Sequence, residues 1–140
     1  MTGYLLDTNV LSELRRPKPE SKVVTFVASQ PLEGLYVSEM TLAEIRFGID
    51  AAPDALKRAE LNQWLTHKVR PMFKQRILTV TEDVLFKWRL IVEAGRKEQY
   101  TFSLPDSVIA ATAAEHDLTV VSRNTTDFTQ ANVPILNPWV

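Results

Sequence analysis

The sequence predicts an α/β fold: a central parallel sheet of four to five strands, flanked by helices. Three observations predict it. Short apolar runs recur along the chain, and they are continuous rather than alternating, as in strands buried on both faces. Segments with apolar residues at helical spacing separate those runs. The length of 140 residues, with 45% hydrophobic and 24% charged residues, suits a single soluble domain over residues 1–140.

The first run, "GYLLD" (3–7), reads as a short buried strand ending on Asp7, after which an apolar helical pattern begins. "RRPKPE" (15–20) breaks the chain without being a domain linker. Val23, Val24, Phe26 and Val27 then stripe a helix over 20–29, and "GLYVS" (34–38) is the second strand. Leu42, Ile45 and Ile49 mark a helix over 41–51. A less regular one over 54–69 carries Leu56, Trp64, Leu65 and Val69. "RILTVT" (76–81) is the third strand. Leu85, Trp88, Ile91 and Val92 place a helix over 82–94, and small residues fill another over 105–116. "LTVVS" (118–122) is the fourth strand. "VPILN" (133–137) is a weak fifth, with Pro134 assigning it to a sheet edge. Trp64, Phe73 and Trp88 are expected in the core, with an interface as the alternative.

Composition excludes several chemistries. There is no cysteine, so disulfides and thiolate metal sites are ruled out. That fits a reducing compartment, and with no signal peptide or membrane span in view the expected location is cytoplasmic, away from any membrane. The net charge of -1 makes the whole molecule a poor polyanion binder, so any nucleic-acid contact is local. Basic residues do cluster, at Arg15, Arg16 and Lys18 and again at Lys68, Arg70, Lys74 and Arg76. His67 and His116 are the only histidines, and neither lies near a convincing serine nucleophile. No glycine-rich phosphate loop is present among four glycines.

Ligands of parallel α/β sheets bind outside the carboxyl ends of the strands. Asp7 stands at such an end, and Asp also caps helices well, so it has two readings. Glu44 lies on the helix after the second strand. Asp106 lies at the start of the helix before the fourth, and Asp127 lies just beyond that strand. Each has an ordinary explanation as well. Thr41 with Glu44, and Ser103 with Asp106, have capping-box spacing, and Asp127 suits a turn. The four acids converge if the sheet order puts the first and fourth strands side by side. Converging carboxylates repel by about 4 kcal/mol per pair at ~4 Å and an effective dielectric of ~20. They therefore either take up protons or recruit a cation. Oxygen donors alone select a hard cation, Mg²⁺ or Mn²⁺, which suits a phosphate substrate.

The blocks "LLDTNVLSEL", "VSEMTLAEIRFGI", "LPDSVIAATAAEHDLTVVSRNTTDF" and "ILNPW", in that order, resemble PIN-domain proteins. They look most like the toxin ribonucleases of bacterial VapBC-type toxin–antitoxin pairs, in the FitB-like branch. The resemblance runs from about residue 4 to 139. It implies the three-layer PIN fold and an acidic quartet of Asp7, Glu44, Asp106 and Asp127. Asp7 and Asp106 would contact the metal, Glu44 would complete the first site, and Asp127 would help hold a second metal or its water. Thr8, Asn9 and Asn124 would support the acids. It implies Mg²⁺- or Mn²⁺-dependent hydrolysis of RNA, with one ion activating water and another stabilising the leaving 3′-oxygen. It also implies a homodimer and a cognate antitoxin that blocks the cleft and binds operator DNA.

One departure from the family stands out. The link "GRKEQYTFSLPD" from Gly95 to Asp106 is longer than the compact link of many relatives, and the expected consequence falls on substrate selection. Two other functions use some of the same residues. An aspartyl-phosphate phosphatase would use Asp7, but the partner acid two residues on is replaced by Asn9. A non-catalytic interaction module would bind antitoxin or DNA and tolerate loss of Asp106.

Overall fold

A computed structural model describes residues 3–140. Five strands form one parallel sheet in the order β3-β2-β1-β4-β5. They are β1 (Tyr4–Leu6), β2 (Leu35–Ser38), β3 (Ile77–Leu78), β4 (Thr119–Val121) and β5 (Ile135–Leu136). The helices are α1 (Thr8–Arg15), α2 (Ser21–Ala28), α3 (Glu39–Ala51), α4 (Ala55–Trp64), α5 (Arg70–Met72), α6 (Glu82–Lys97), α7 (Leu104–His116) and α8 (Thr126–Gln130). None of them is long and apolar enough to cross a membrane.

The central strand explains the unbroken apolar runs. Successive strand residues point to opposite faces. Leu6 faces the layer of α1 to α5, with Val10, Leu42, Ile45, Leu65 and Phe73. Leu5 faces the layer of α7 and α8, with Ile109, Ala110 and Phe128. Both leucines are 0% exposed, and burying each contributes roughly 1.5–3 kcal/mol. A polar residue on either face would lose that and leave its own group unpaired.

Strands β2 and β4 flank β1, with Leu5 opposite Tyr36 on one side and Val120 on the other. The connection from β1 leads to β2, and the chain later returns to β4 on the opposite side of β1. This makes the carboxyl ends of β1 and β4 the point where strand order reverses, and a crevice opens there in such sheets. The expected neighbourhood of the first and fourth strands is therefore real. The expected edge position of the fifth is real too.

Several boundaries differ from expectation, each for a local reason. The third strand is two residues long because Val80 donates its amide to Glu39 Oε1 (3.1 Å) and Thr81 turns to cap α6 (Val84 N to Oγ1, 3.2 Å). Helix α3 starts at Glu39 because Ser38 caps it, accepting from Met40 N at 3.0 Å. Thr41 is then a buried residue inside the helix, so the Thr41–Glu44 capping box does not form. The helix expected over 54–69 is α4, a π-helical turn (Leu65–Val69) and α5, which carries the segment past Pro71 to Met72. Helix α8 was not expected at all. Phe73 is fully buried, and Trp64 packs partly buried against the same layer. Trp88 donates its indole N–H to Ser107 Oγ at 2.9 Å.

Candidate active site

Asp7 ends β1 and begins α1. Its φ of -78° is extended, and its Oδ1 accepts the amide of Thr8 at 2.8 Å. It is therefore a cap, as one of its two readings held. It is also pinned to the neighbouring strand: its amide donates to Val121 O at 3.0 Å, and Ser122 Oγ donates to its Oδ2 at 2.7 Å. The carboxyl is 4% exposed. Burial pushes its pKa up, and the bonds from Ser122 and Thr8 partly offset that rise.

Ser122 is the residue that sequence reasoning missed. It is fully buried at the end of β4 and gathers three groups. While donating to Asp7, its Oγ accepts from Asn9 Nδ2 (3.0 Å) and from Asn124 N (3.0 Å). Asn9 Oδ1 in turn accepts from Arg123 N at 3.3 Å. A serine after a strand is too common to have drawn notice, and its partner lies 115 residues away.

Above these residues opens a cleft of about 820 Å³. Asp7, Glu44 and Asp106 line it with Thr8, Asn9 and Asn124. Helix α3 delivers Glu44, and α7 delivers Asp106 from its first turn. Ser103 caps α7, its Oγ accepting from Asp106 N at 3.2 Å, as the Ser103–Asp106 spacing predicted. The Asp106 carboxyl is pushed up to about 6, first by loss of hydration, then by the charges of Asp7 and Asp127. No ion pair described for the chain involves any of the four acids. Among the described residues, no three of the acidic or histidine groups are gathered into a formed coordination cluster. Like charge resists closer approach.

Asp127 is placed differently from the other three. It sits beside Asp106 but not on the cleft wall. Tyr100 donates its hydroxyl to Asp127 Oδ1, and Ser103 donates its amide to Oδ2 at 3.2 Å. The Tyr100 hydroxyl is pushed up to about 12 by that bond, by burial and by the charges of Asp127 and Asp106, so it remains a neutral donor.

The same cleft also carries basic residues. Arg15, Arg16 and Arg123 line it. Arg16 pairs with Glu13 at 3.1 Å. Glu13 is a buried carboxylate held below its ordinary range, chiefly by the amide of Glu20, which donates to Oε2 at 2.8 Å, and then by Arg16. Arg123 lies 5.3 Å over the Trp139 ring, and Arg15 lies 5.8 Å over Trp64. Of the expected basic clusters, only Arg15 and Arg16 reach the cleft. Acids and arginines lining one cleft suit a phosphate ester, whose charged non-bridging oxygens can meet a cation held by the acids and the guanidinium groups.

The PIN-domain family model matches residues 4–133. Toxin FitB of Neisseria gonorrhoeae is 38% identical over 135 residues, covering 96% of this chain and 97% of that protein. VapC ribonuclease Y4jK of Sinorhizobium fredii is 34% identical over 135 residues, covering 96% of each. Among solved structures, FitAcB from Neisseria gonorrhoeae superposes with a TM-score of 0.91 at 38% identity, over 97% of this chain and 98% of that one. FitAB bound to an IR36 DNA fragment superposes with a TM-score of 0.90 at 36% identity, over 98% and 96%.

Proposed function

The chain belongs to the PIN-domain family, and from that premise we propose that it is a metal-dependent endoribonuclease, the toxin of a toxin–antitoxin pair. The observation that carries this reading is the cleft at the β1–β4 reversal, lined by Asp7, Glu44 and Asp106 together with three arginines. The relatives' names as toxin and VapC ribonuclease support it.

The donor set fits a hard divalent cation. Asp7, Thr8, Asn9, Glu44, Asp106 and Asn124 offer only oxygen or amide donors, and the Asp106 carboxyl is raised first by burial and then by neighbouring negative charge that a cation would neutralise. We assign Asp7, Glu44 and Asp106 to hold Mg²⁺ or Mn²⁺, with Asp127 acting from behind Asp106. Such an ion, when bound, supplies Lewis-acid activation of water and charge stabilisation at the scissile phosphate. The protein's own groups do the rest. Ser122 and the Thr8 amide fix both oxygens of Asp7, so its carboxylate has one orientation. Asn9 and Asn124 are oriented through Ser122. Arg15, Arg16 and Arg123 bind the flanking phosphates and set the strand across the acids.

The partners follow from the same reading. A two-component FitAB assembly binds DNA. We assign this chain an antitoxin partner that blocks the cleft, operator DNA bound through that partner, a homodimeric state and action in the cytoplasm.

The test uses purified protein freed of any partner, incubated with total bacterial RNA in Mg²⁺ or Mn²⁺. Parallel samples contain chelator or the Asp106→Asn variant. Metal-dependent ends bearing a 5′-phosphate, absent with the variant, are expected. Metal-independent 5′-hydroxyl ends would overturn the mechanism.

A further inference from the structure

The link between α6 and α7 stands outside the cleft wall until Ser103, and the chemistry above does not use it. Its side chains nevertheless end on an acid of the site. We infer that Tyr100 is a positioning residue for the acidic site: its hydroxyl, together with the Ser103 amide, fixes Asp127 against Asp106. The inference rests on the reading of the cleft as a divalent-cation site.

Asp127 has two carboxylate oxygens, and each meets a donor from this one link. Tyr100 OH takes Oδ1 and Ser103 N takes Oδ2. Ser103 is also the cap that receives the Asp106 amide. One short segment thus sets the carboxylate of α8 and the first turn of α7 that bears Asp106. A carboxylate held by two donors keeps one rotamer, so its charge falls on Asp106 from a fixed direction.

The link is itself braced, as a positioning element must be. Gln99 adopts a φ of 59°, in the left-handed region, which turns the chain back on α6. The amides of Glu98 and Tyr100 donate to Gly95 O at 3.0 and 2.8 Å. The Phe102 ring meets Tyr100 edge-on, with centroids 4.7 Å apart. It also lies over Gly95, where a Cβ would come within 2.6 Å of Phe102 Cε2. Gln130 Nε2 at the end of α8 donates to Glu98 Oε2 at 3.1 Å, closing the brace from the other side. Beside the effect expected of this departure on substrate selection, the link thus acts on the acids.

Tyr100→Phe tests this, because it removes the hydroxyl and keeps the ring against Phe102. The readouts are Mn²⁺ affinity, titrated by electron paramagnetic resonance on the full chain, and steady-state cleavage of an oligoribonucleotide. Supporting residues of metal sites change affinity by roughly 10–100-fold when lost. The expected result is a Mn²⁺ affinity at least ~10-fold weaker, a lower kcat and an unchanged KM, with an unaltered circular dichroism spectrum. In an Asp127→Asn background, Tyr100→Phe should add no further loss, since the two act through one contact. Asp127→Asn alone, which keeps an acceptor for Tyr100, should weaken Mn²⁺ binding comparably, and it decides the matter if Tyr100→Phe does not fold. Wild-type Mn²⁺ affinity in the folded variants would overturn the inference and leave the acidic-site reading intact. A wild-type protein that binds no Mn²⁺ would overturn both.

Discussion

Ser122 and Asp7, 115 residues apart in the chain, share a 2.7 Å hydrogen bond at the carboxyl ends of adjacent strands, and both are buried. Ser122→Ala would strand Asp7 Oδ2, Asn9 Nδ2 and the Asn124 amide together. Losing partners for buried polar groups costs about 1–3 kcal/mol each where water cannot replace them. We expect urea unfolding to register a loss of roughly 1–3 kcal/mol, and RNA cleavage to fall at least ~10-fold as Asp7 loses its orientation. An unchanged rate would mean that Thr8 alone orients Asp7.

The burial of Asp106, added to by the acids beside it, predicts a pH effect of definite sign. The Asp106 carboxyl lies at about 6, above its ordinary value of 3.8. The folded protein therefore binds more protons than the unfolded chain between these values, and its stability falls as pH rises through that window. Asp106→Asn cannot ionise and escapes the loss. In chelator, the variant should melt at a higher temperature than wild type at pH 8, with the gap closing toward pH 4. The lowered pKa of Glu13 works in the opposite direction, but it is common to both proteins and drops out of the difference. Equal melting temperatures at pH 8 would show that neither burial nor the neighbouring acids burden the ionised Asp106. Saturating Mg²⁺ should raise the wild type more than the variant.

Gly95 tests the brace from a distance. A Cβ there would stand 2.6 Å from Phe102 Cε2 and 3.0 Å from Tyr100 O. Overpacking of this kind costs roughly 1–3 kcal/mol. Gly95→Ala should lower the melting temperature and also weaken Mn²⁺ binding, although residue 95 touches no acid. A stability loss with undiminished Mn²⁺ affinity would separate the brace from the site.

Arg123 carries the prediction for the basic residues. It stacks over Trp139 and lines the same cleft as the acids. Arg123→Ala should raise KM for RNA several-fold and leave kcat nearly unchanged. It should also reduce the slope of log affinity against log salt by about 0.7–0.9, the contribution of one phosphate contact. An unchanged salt slope would remove Arg123 from the substrate path.

Sequence by itself determined the layers, the strands and the address of the site. Runs such as Tyr4-Leu5-Leu6 are apolar without alternation because both faces of the sheet are covered, and that demand is written locally, residue by residue. The same logic put Asp7 at a strand's carboxyl end and the fifth strand at an edge. Tertiary structure alone decided what closes over those positions. The β1–β4 pairing brought Ser122 to Asp7, and nothing in "VVSRN" announces a buried hydroxyl with three partners. The turn at Gln99 brought Tyr100 to Asp127, giving an acid expected to help hold a second metal or its water a hydroxyl partner from a distant link. Periodicity records how deeply a residue is buried. It carries no information about which distant loop will supply its hydrogen-bond partner, because that depends on where the crossovers return the chain.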